Sequence, residues 1–170
     1  AVWSALRGKD YIEEIIVPTE QKSWQQALGN NPLVNLDNRL TLNKQQALAF
    51  SQLLFQEGFN VWLLEGVTGS GKTEIYLQYI EEVLKKGKQV LVLVPEIGLT
   101  PQTVRRFQAR FNVEIDVLHS NLNDTQRLNV WERARTGQSA IVIGTRSALF
   151  TQFSDLGLII LDEEHDGSFK

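Results

Sequence analysis

The feature that most constrains the fold is a glycine-rich segment at residues 66–73, GVTGSGKT, which joins a short apolar run to an amphipathic stretch. The run at residues 61–64, VWLL, is continuously apolar, as is typical of a strand buried on both faces. Over residues 72–86 apolar side chains recur every three or four positions, and Gly87 follows, which predicts a helix. A strand, a glycine-rich loop and a helix in this order predict the opening unit of a parallel α/β sheet.

The same alternation of apolar runs and helical stretches continues after this unit. Continuous apolar runs at residues 90–94, 140–143 and 158–161 predict further buried strands, and residues 115–118 predict another strand. Helices are predicted over residues 43–57, from Thr100-Pro101 onward and over residues 123–136. We therefore predict an α/β domain with a mostly parallel sheet and helices on both faces.

Residues 1–39 differ from the rest because they show no sustained period of either kind. We interpret them as the tail of an upstream domain with its linker, and residues 40–170 as the main domain. Since the sequence contains no methionine, we expect it to be a fragment of a longer chain.

The composition excludes several classes of protein and of site. The chain of 170 residues is 42% hydrophobic and 22% charged, the ordinary range of a globular domain. The absence of cysteine excludes disulfides, thiol catalysis and cysteine-bound zinc in this segment, and two histidines cannot form a histidine-rich metal site. No apolar run approaches the ~20 residues of a membrane-spanning helix, and no signal peptide is recognisable, so we expect a cytoplasmic protein without a membrane partner. The net charge of −3 gives no whole-chain argument for nucleic-acid binding.

Residues 66–73 match the phosphate-loop pattern G-x-x-x-x-G-K-T at every required position. Glycines let the backbone wrap closely and direct several N–H groups at one anion, and the following helix adds its positive end. In such a loop the lysine reaches the β- and γ-phosphates and the threonine hydroxyl binds Mg²⁺. The alternative is a glycine-rich turn that merely caps a helix. We predict a nucleoside triphosphate site formed by Gly66, Thr68, Gly69, Ser70, Gly71, Lys72 and Thr73.

An acidic sequence, DEEH at residues 162–165, follows the apolar run at residues 158–161. Asp162 is expected to hold Mg²⁺ next to Thr73, and Glu163 to polarise the attacking water, so that Lys72, Asp162 and Glu163 are the predicted catalytic residues. An adjacent Asp-Glu pair favours an ATPase over a GTPase or a small-molecule kinase. The alternative is a solvated acidic turn.

Further segments extend the pattern: VPEIGLTPQ at residues 94–102, LHS at residues 118–120 and GTRSALF at residues 144–150. Together with the phosphate loop and DEEH they resemble the superfamily 2 helicases of the DEAH-related kind, and among them the bacterial primosomal helicases that restart replication at stalled forks. The resemblance covers residues 40–170. It implies a RecA-like P-loop domain that uses ATP and Mg²⁺ and that moves 3′ to 5′ on single-stranded DNA.

The resemblance also implies partners and a division of the longer protein. Forked and single-stranded DNA are the expected nucleic acids, and other primosome and single-strand-binding proteins the expected protein partners of the full-length chain. Residues 1–39 correspond by position to the end of an N-terminal DNA-binding region and its linker. The lobe is expected to be truncated after the DEEH motif, so that zinc-binding cysteines and a second motor lobe belong to missing C-terminal sequence. Other superfamily 2 translocases, or a non-catalytic nucleotide-dependent interaction module, are the alternatives.

Individual residues receive roles from the resemblance. Gln46 is the expected adenine reader, although Asn43 and Gln46 also fit a helix capping box. His165 is expected to couple the γ-phosphate to the DNA side, with a structural histidine as the alternative. Thr100 has helix capping as its alternative role. The residues expected to contact the DNA backbone are Thr100, Gln102, Thr145 and Arg146.

Overall fold

The computed structural model describes residues 21–54, 58–163 and 166–169. Nine elements organise the lobe, in the chain order α1 (Trp24–Leu28), α2 (Lys44–Leu54), α3 (Lys72–Lys85), β1 (Gln89–Leu93), α4 (Pro101–Arg110), β2 (Ile115–Leu118), α5 (Asp124–Arg135), β3 (Ile141–Gly144) and β4 (Leu156–Leu161). Short 3-10 helices follow the ends of β1, β3 and β4, at Glu96–Gly98, Arg146–Phe150 and Gly167–Phe169. Among the described residues, none of the helices is long and apolar enough to cross a membrane.

The four strands form one parallel sheet in the order β2-β3-β1-β4. Residues of the two central strands, β1 and β3, are buried throughout, as their continuous apolar sequences predict. One hydrophobic cluster joins the sheet to α1, α3 and α4, and a second joins its other face to α5. The predicted α/β fold, with helices on both faces of a parallel sheet, is therefore confirmed.

The prediction of a buried strand at residues 61–64 is wrong. Val61 is 82% exposed and Leu63 74% exposed, and within the described part of the chain no strand pairs with this run. A strand is stable only when its backbone groups pair with a neighbour, whatever its own side chains are. The apolar pattern predicted that the run would be buried, but it contains no information on whether a neighbouring strand pairs with it.

The edge strand β4 is also less buried than its sequence predicts. Among the strands that the structure describes, β4 pairs with β1 alone, and Ile159 and Leu161 are 47% and 46% exposed. A strand is buried on both faces only when other elements cover both faces of the sheet. In the described residues, β4 is covered on one face.

The helices begin where the sequence provides capping residues. The Thr100 side chain accepts a hydrogen bond from the N–H of Thr103, and Pro101 occupies the first helical position of α4. Asn123 and Gln126 form a complete capping box at the start of α5. These caps fix the helices after the carboxyl ends of β1 and β2, and the predicted DNA-contact residues Thr100 and Gln102 lie at the start of the first of them.

Residues 21–39 pack against the lobe over their described length. Trp24 and Val34 are buried in the core, and Val34 forms an isolated antiparallel bridge with Phe111. The N–H of Asn35 donates to the carbonyl of Arg110 at 2.8 Å. A domain boundary between residues 39 and 40 stays a prediction, since residues 1–20 lie outside the described residues.

Candidate nucleotide site

The glycine-rich loop has a backbone path that favours glycine at position 71. Its φ of +83° lies in the left-handed region, and a Cβ atom there would collide with the side-chain nitrogen Nε2 of Gln46. A Cβ at Gly66 would lie 2.8 Å from the Ser70 hydroxyl oxygen. The loop is therefore tightly wrapped, as the phosphate-loop pattern predicts.

Helix α3 starts at Lys72 with its N-terminus open to the loop. Its N-cap residue is Gly71, which has no side chain that could accept from the first-turn N–H groups. The hydroxyl oxygen of Ser70 is buried without a hydrogen-bond partner among the described residues. Uncapped amides at the positive end of a helix and an unsatisfied hydroxyl are features that suit an anion, so the loop fits a phosphate group.

The Lys72 ammonium lies over its own loop. Its Nζ donates to the carbonyl oxygens of Gly66 and Val67, the latter at 3.1 Å. These contacts hold the only side-chain cation of the phosphate-loop pattern next to the backbone that would surround a phosphate. Both hydrogen bonds of the ammonium are therefore with the loop.

Gln46 forms the capping box that was one of its two expected roles. Its Oε1 accepts from the N–H of Asn43 at 2.9 Å, and the N–H of Gln46 donates to Oδ1 of Asn43 at 3.0 Å. Its Nε2 donates to the carbonyl of Ser70 at 2.9 Å, a contact with the phosphate loop that sequence reasoning missed. The capping pattern placed Gln46 at the third residue of a helix but gave no signal for a contact 24 residues away.

Asp162 lies at the carboxyl end of β4, where its backbone and its side chain both have partners. Its N–H donates to the carbonyl of Leu93 at 2.9 Å, and its Oδ2 accepts from the Tyr76 hydroxyl at 3.0 Å. Thr73 lies three residues before Tyr76 on α3, on the same face of the helix. The structure thus brings Asp162 against the helix that carries Thr73, the other expected Mg²⁺ ligand.

Tyr76 was not identified from the sequence, where it belongs to the apolar stripe of α3. Burial raises the pKa of its hydroxyl well above the usual range, and the negative charge of Asp162 raises it further, whereas the hydrogen bond with Thr73 lowers it. The phenol therefore remains a proton donor to the carboxylate at neutral pH.

Glu163 occupies an unusual backbone position directly after Asp162. Its φ of +54° is in the left-handed region, which non-glycine residues rarely adopt, and its carbonyl accepts from the N–H of Asp166 at 2.9 Å. Such strained conformations cluster at functional sites. The exposed Glu163 side chain thus follows the strand end in a sharp turn, whereas His165, the other predicted residue of this turn, lies outside the described residues.

A cavity of about 320 Å³ opens at the carboxyl ends of β1, β2 and β3. Thr145, predicted to contact DNA, lines it, and the Thr100 side chain caps α4 as its alternative role required. Gln102 is exposed in the first turn of α4, and the exposed Arg146 begins the 3-10 helix after β3. Glu96 and Leu99 also line it and belong to the segment that carries Thr100 and Gln102, whereas the lining residues His119, Ser120 and Asn121 were not assigned to the site from the sequence. Each of them follows a strand end, which is the signal that could have identified them.

Comparisons with known proteins agree with this arrangement. The family model described as DEAD/DEAH box helicase matches residues 43–169. The chain is 82% identical over 170 residues to the replication restart protein PriA of Haemophilus influenzae, covering 100% of this chain and 23% of that protein. It is 49% identical over 134 residues to PriA of Bacillus subtilis, covering 77% of this chain and 17% of that protein. The chain therefore spans about a quarter or less of the length of these curated relatives, and they confirm the resemblance to the primosomal replication-restart helicases.

A solved structure shows the same fold. The chain resembles RecG, described as bound to a three-way DNA junction, with a TM-score of 0.64 and 29% identity, covering 74% of this chain and 18% of that chain. This likeness agrees with a RecA-like α/β helicase domain. Since the helicase model matches most of the sequence, the chain belongs to the DEAD/DEAH box helicase family.

Proposed function

We propose that the chain is the ATP-binding lobe of a 3′ to 5′ DNA helicase that restarts replication at stalled forks. The observation that carries the proposal is the convergence of the phosphate loop, Thr73 and Asp162 at the start of α3. Support for replication restart comes from the similarity to PriA over the whole chain.

ATP binding relies on the loop and on the start of α3. The first-turn amides of α3 and the Ser70 hydroxyl donate to the phosphates, and Lys72 exchanges the carbonyls of Gly66 and Val67 for phosphate oxygens. Mg²⁺, when bound, neutralises the phosphate charge. Thr73 and Asp162 are the residues that would hold it, because a hydroxyl and a carboxylate are ligands of the hard oxygen type that Mg²⁺ prefers.

Hydrolysis then depends on Glu163. A carboxylate directly after Asp162 can orient a water molecule and accept its proton, which contributes a rate factor of roughly 10²–10⁴. The strained turn holds the Glu163 backbone at the strand end, next to the residue proposed as a metal ligand. The proposed role of His165 is to couple the γ-phosphate to the DNA side.

Single-stranded DNA is proposed to lie across the carboxyl ends of β1 and β3. Thr145 lines the cavity there, and Thr100, Gln102 and Arg146 lie on the segments that directly follow these strands. Hydroxyl, amide and guanidinium groups all donate to phosphate oxygens. Forked DNA, primosome proteins and single-strand-binding proteins are the proposed partners of the full-length protein, and zinc is proposed for sequence outside this chain.

A second candidate is a different superfamily 2 DNA translocase, favoured by the likeness to RecG. DNA-stimulated ATP hydrolysis by the full-length protein tests the shared activity. Unwinding of a forked substrate with a 3′ single-stranded tail, compared with regression of a model fork, separates the two. Strand unwinding without fork regression supports replication restart, whereas regression as the main reaction favours the translocase. Nucleotide binding without any DNA-stimulated hydrolysis would instead support a non-catalytic interaction module.

A further inference from the structure

We propose that Tyr76 is a positioning residue of the nucleotide site, whose hydroxyl holds the Asp162 carboxylate against α3, the helix that carries Thr73, before nucleotide arrives. The inference rests on the proposed function, because it assigns Tyr76 to the metal-binding half of the same site. Its basis is a contact between residues 86 positions apart in the sequence.

The Tyr76 ring is held in place by its own helix and by α4. Tyr76 follows Lys72 by four residues and Thr73 by three, so the three side chains share one face of α3. The ring stacks on Phe107, with centroids 6.4 Å apart and an interplanar angle of 19°, and Phe107 is only 1% exposed. The core thereby fixes where the hydroxyl lies.

The Tyr76 hydroxyl in turn fixes one carboxylate oxygen of Asp162, a residue whose backbone is already held by a hydrogen bond. The N–H of Asp162 pairs with the carbonyl of Leu93 at the end of β1, and Tyr76 donates to Oδ2 at 3.0 Å. The second oxygen, Oδ1, would then be left to hold Mg²⁺, and the metal would supply charge neutralisation for the phosphates. A hydrogen bond that restricts a ligand in this way lowers the ordering required when the metal binds.

The expected effect of removing such an orienting partner is a loss of roughly 10–100-fold in metal affinity or activity. A purely structural role for Tyr76 would act differently. It would lower stability, and it would weaken nucleotide binding to the same degree with or without Mg²⁺.

The test is Tyr76→Phe in the full-length protein, which keeps the ring and removes the hydroxyl. Tyr79→Phe is the matched control, because Tyr79 lies on the same helix and packs against the same core cluster. The measurement is ATP affinity at increasing MgCl₂ and again in EDTA. For Tyr76→Phe we expect the half-saturating Mg²⁺ concentration to rise by roughly 10-fold or more, with affinity in EDTA unchanged. Tyr79→Phe should match the unmodified protein in both conditions.

A second measurement keeps the test decisive if Tyr76→Phe is less stable. In an Asp162→Asn background, Tyr76→Phe should add no further change in the Mg²⁺ requirement, because the carboxylate it positions is gone. An unchanged Mg²⁺ requirement in the single variant, or an equal loss of affinity in EDTA, would overturn the positioning role. If the unmodified protein binds ATP no better with Mg²⁺ than in EDTA, the proposed metal-binding half of the site is wrong, and the role of Tyr76 is overturned with it.

Discussion

Two glycines have the same left-handed backbone conformation but different surroundings. Substituting each of them therefore distinguishes an effect on the phosphate loop from an effect of backbone strain. Gly71 has φ +83° and Gly58 has φ +77°, but a Cβ at Gly71 would meet Gln46, whereas among the described residues no atom lies within 4 Å of a Cβ at Gly58. Both Gly→Ala changes force a residue into the left-handed region, at about 1–2 kcal/mol each. Only Gly71→Ala also displaces Gln46 from the phosphate loop.

We therefore expect Gly71→Ala to weaken ATP binding and Gly58→Ala to leave it intact, with both variants losing similar stability before any nucleotide is added. Thermal unfolding with and without Mg²⁺ and ATP measures both effects. If ATP stabilises Gly71→Ala as strongly as the parent, a phosphate site at this loop is contradicted.

Glu163 is the residue whose substitution should separate binding from hydrolysis. Glutamine keeps the shape of the side chain but cannot accept a proton, so in the full-length protein Glu163→Gln should keep its ATP affinity while turnover falls by roughly 10²–10⁴. Steady-state hydrolysis in the presence of single-stranded DNA, alongside equilibrium ATP binding, measures the two quantities. Retained turnover would move the catalytic base to Glu164.

At the scale of elements, α2 and the phosphate loop are joined through the two ends of one side chain. Gln46 caps α2 with its oxygen and donates to Ser70 with its nitrogen. Gln126 occupies the same capping position at the start of α5. It therefore provides a matched control for the capping function alone.

Gln46→Ala and Gln126→Ala should each destabilise the fold by about 0.5–1.5 kcal/mol, because each loses one hydrogen bond of its capping box. Only Gln46→Ala should weaken ATP binding, because it alone removes a contact with the loop. Competition between ATP and GTP decides the role that stays open: an adenine reader predicts that the preference for ATP disappears, whereas a loop contact predicts that both nucleotides bind more weakly by the same factor. Equal ATP affinity in both variants would argue against either role.

Local patterns predicted the elements well, and contacts between distant residues account for what they missed. The central strands and the capped starts of α4 and α5 follow from runs and caps within a few residues, and the structure confirms them. The run at residues 61–64 was misassigned because strand pairing depends on a second segment. The contacts from Gln46 to Ser70 and from Tyr76 to Asp162 join residues 24 and 86 positions apart, which no periodicity reveals.

At the scale of the whole lobe, a buried ion pair connects residues 38–40 to the helix of the nucleotide site. Arg110 is 1% exposed and donates to Glu74 at 2.8 Å and to the carbonyl of Asn38 at 2.6 Å. Glu74 also accepts from Gln78, whose amide donates to the carbonyl of Leu40. The segment preceding α2 is thus hydrogen-bonded to both α3 and α4.

Removing the Arg110 side chain should therefore break its hydrogen bond to this segment and leave the Glu74 carboxylate buried without its cation. We expect Arg110→Ala to lower the free energy of unfolding by about 3–5 kcal/mol, as for other broken buried pairs. Arg135→Ala removes an exposed pair with Glu132 and should change stability little. Chemical denaturation of the two variants measures the difference, and similar small effects would show that the buried pair does not hold the lobe together.

The most direct test of the central claim, that the loop before α3 binds the phosphates of ATP, is thermal unfolding of Lys72→Ala with and without Mg²⁺ and ATP. The Lys72 ammonium donates to carbonyls of its own loop, so the variant should melt near the parent temperature without nucleotide. The stabilisation by nucleotide, about 2.7 kcal/mol at a hundredfold excess over Kd for the parent, should disappear. Lys86→Ala, at the opposite end of α3, should keep it. If ATP stabilises Lys72→Ala as strongly as the parent, the nucleotide binds elsewhere and the account is wrong.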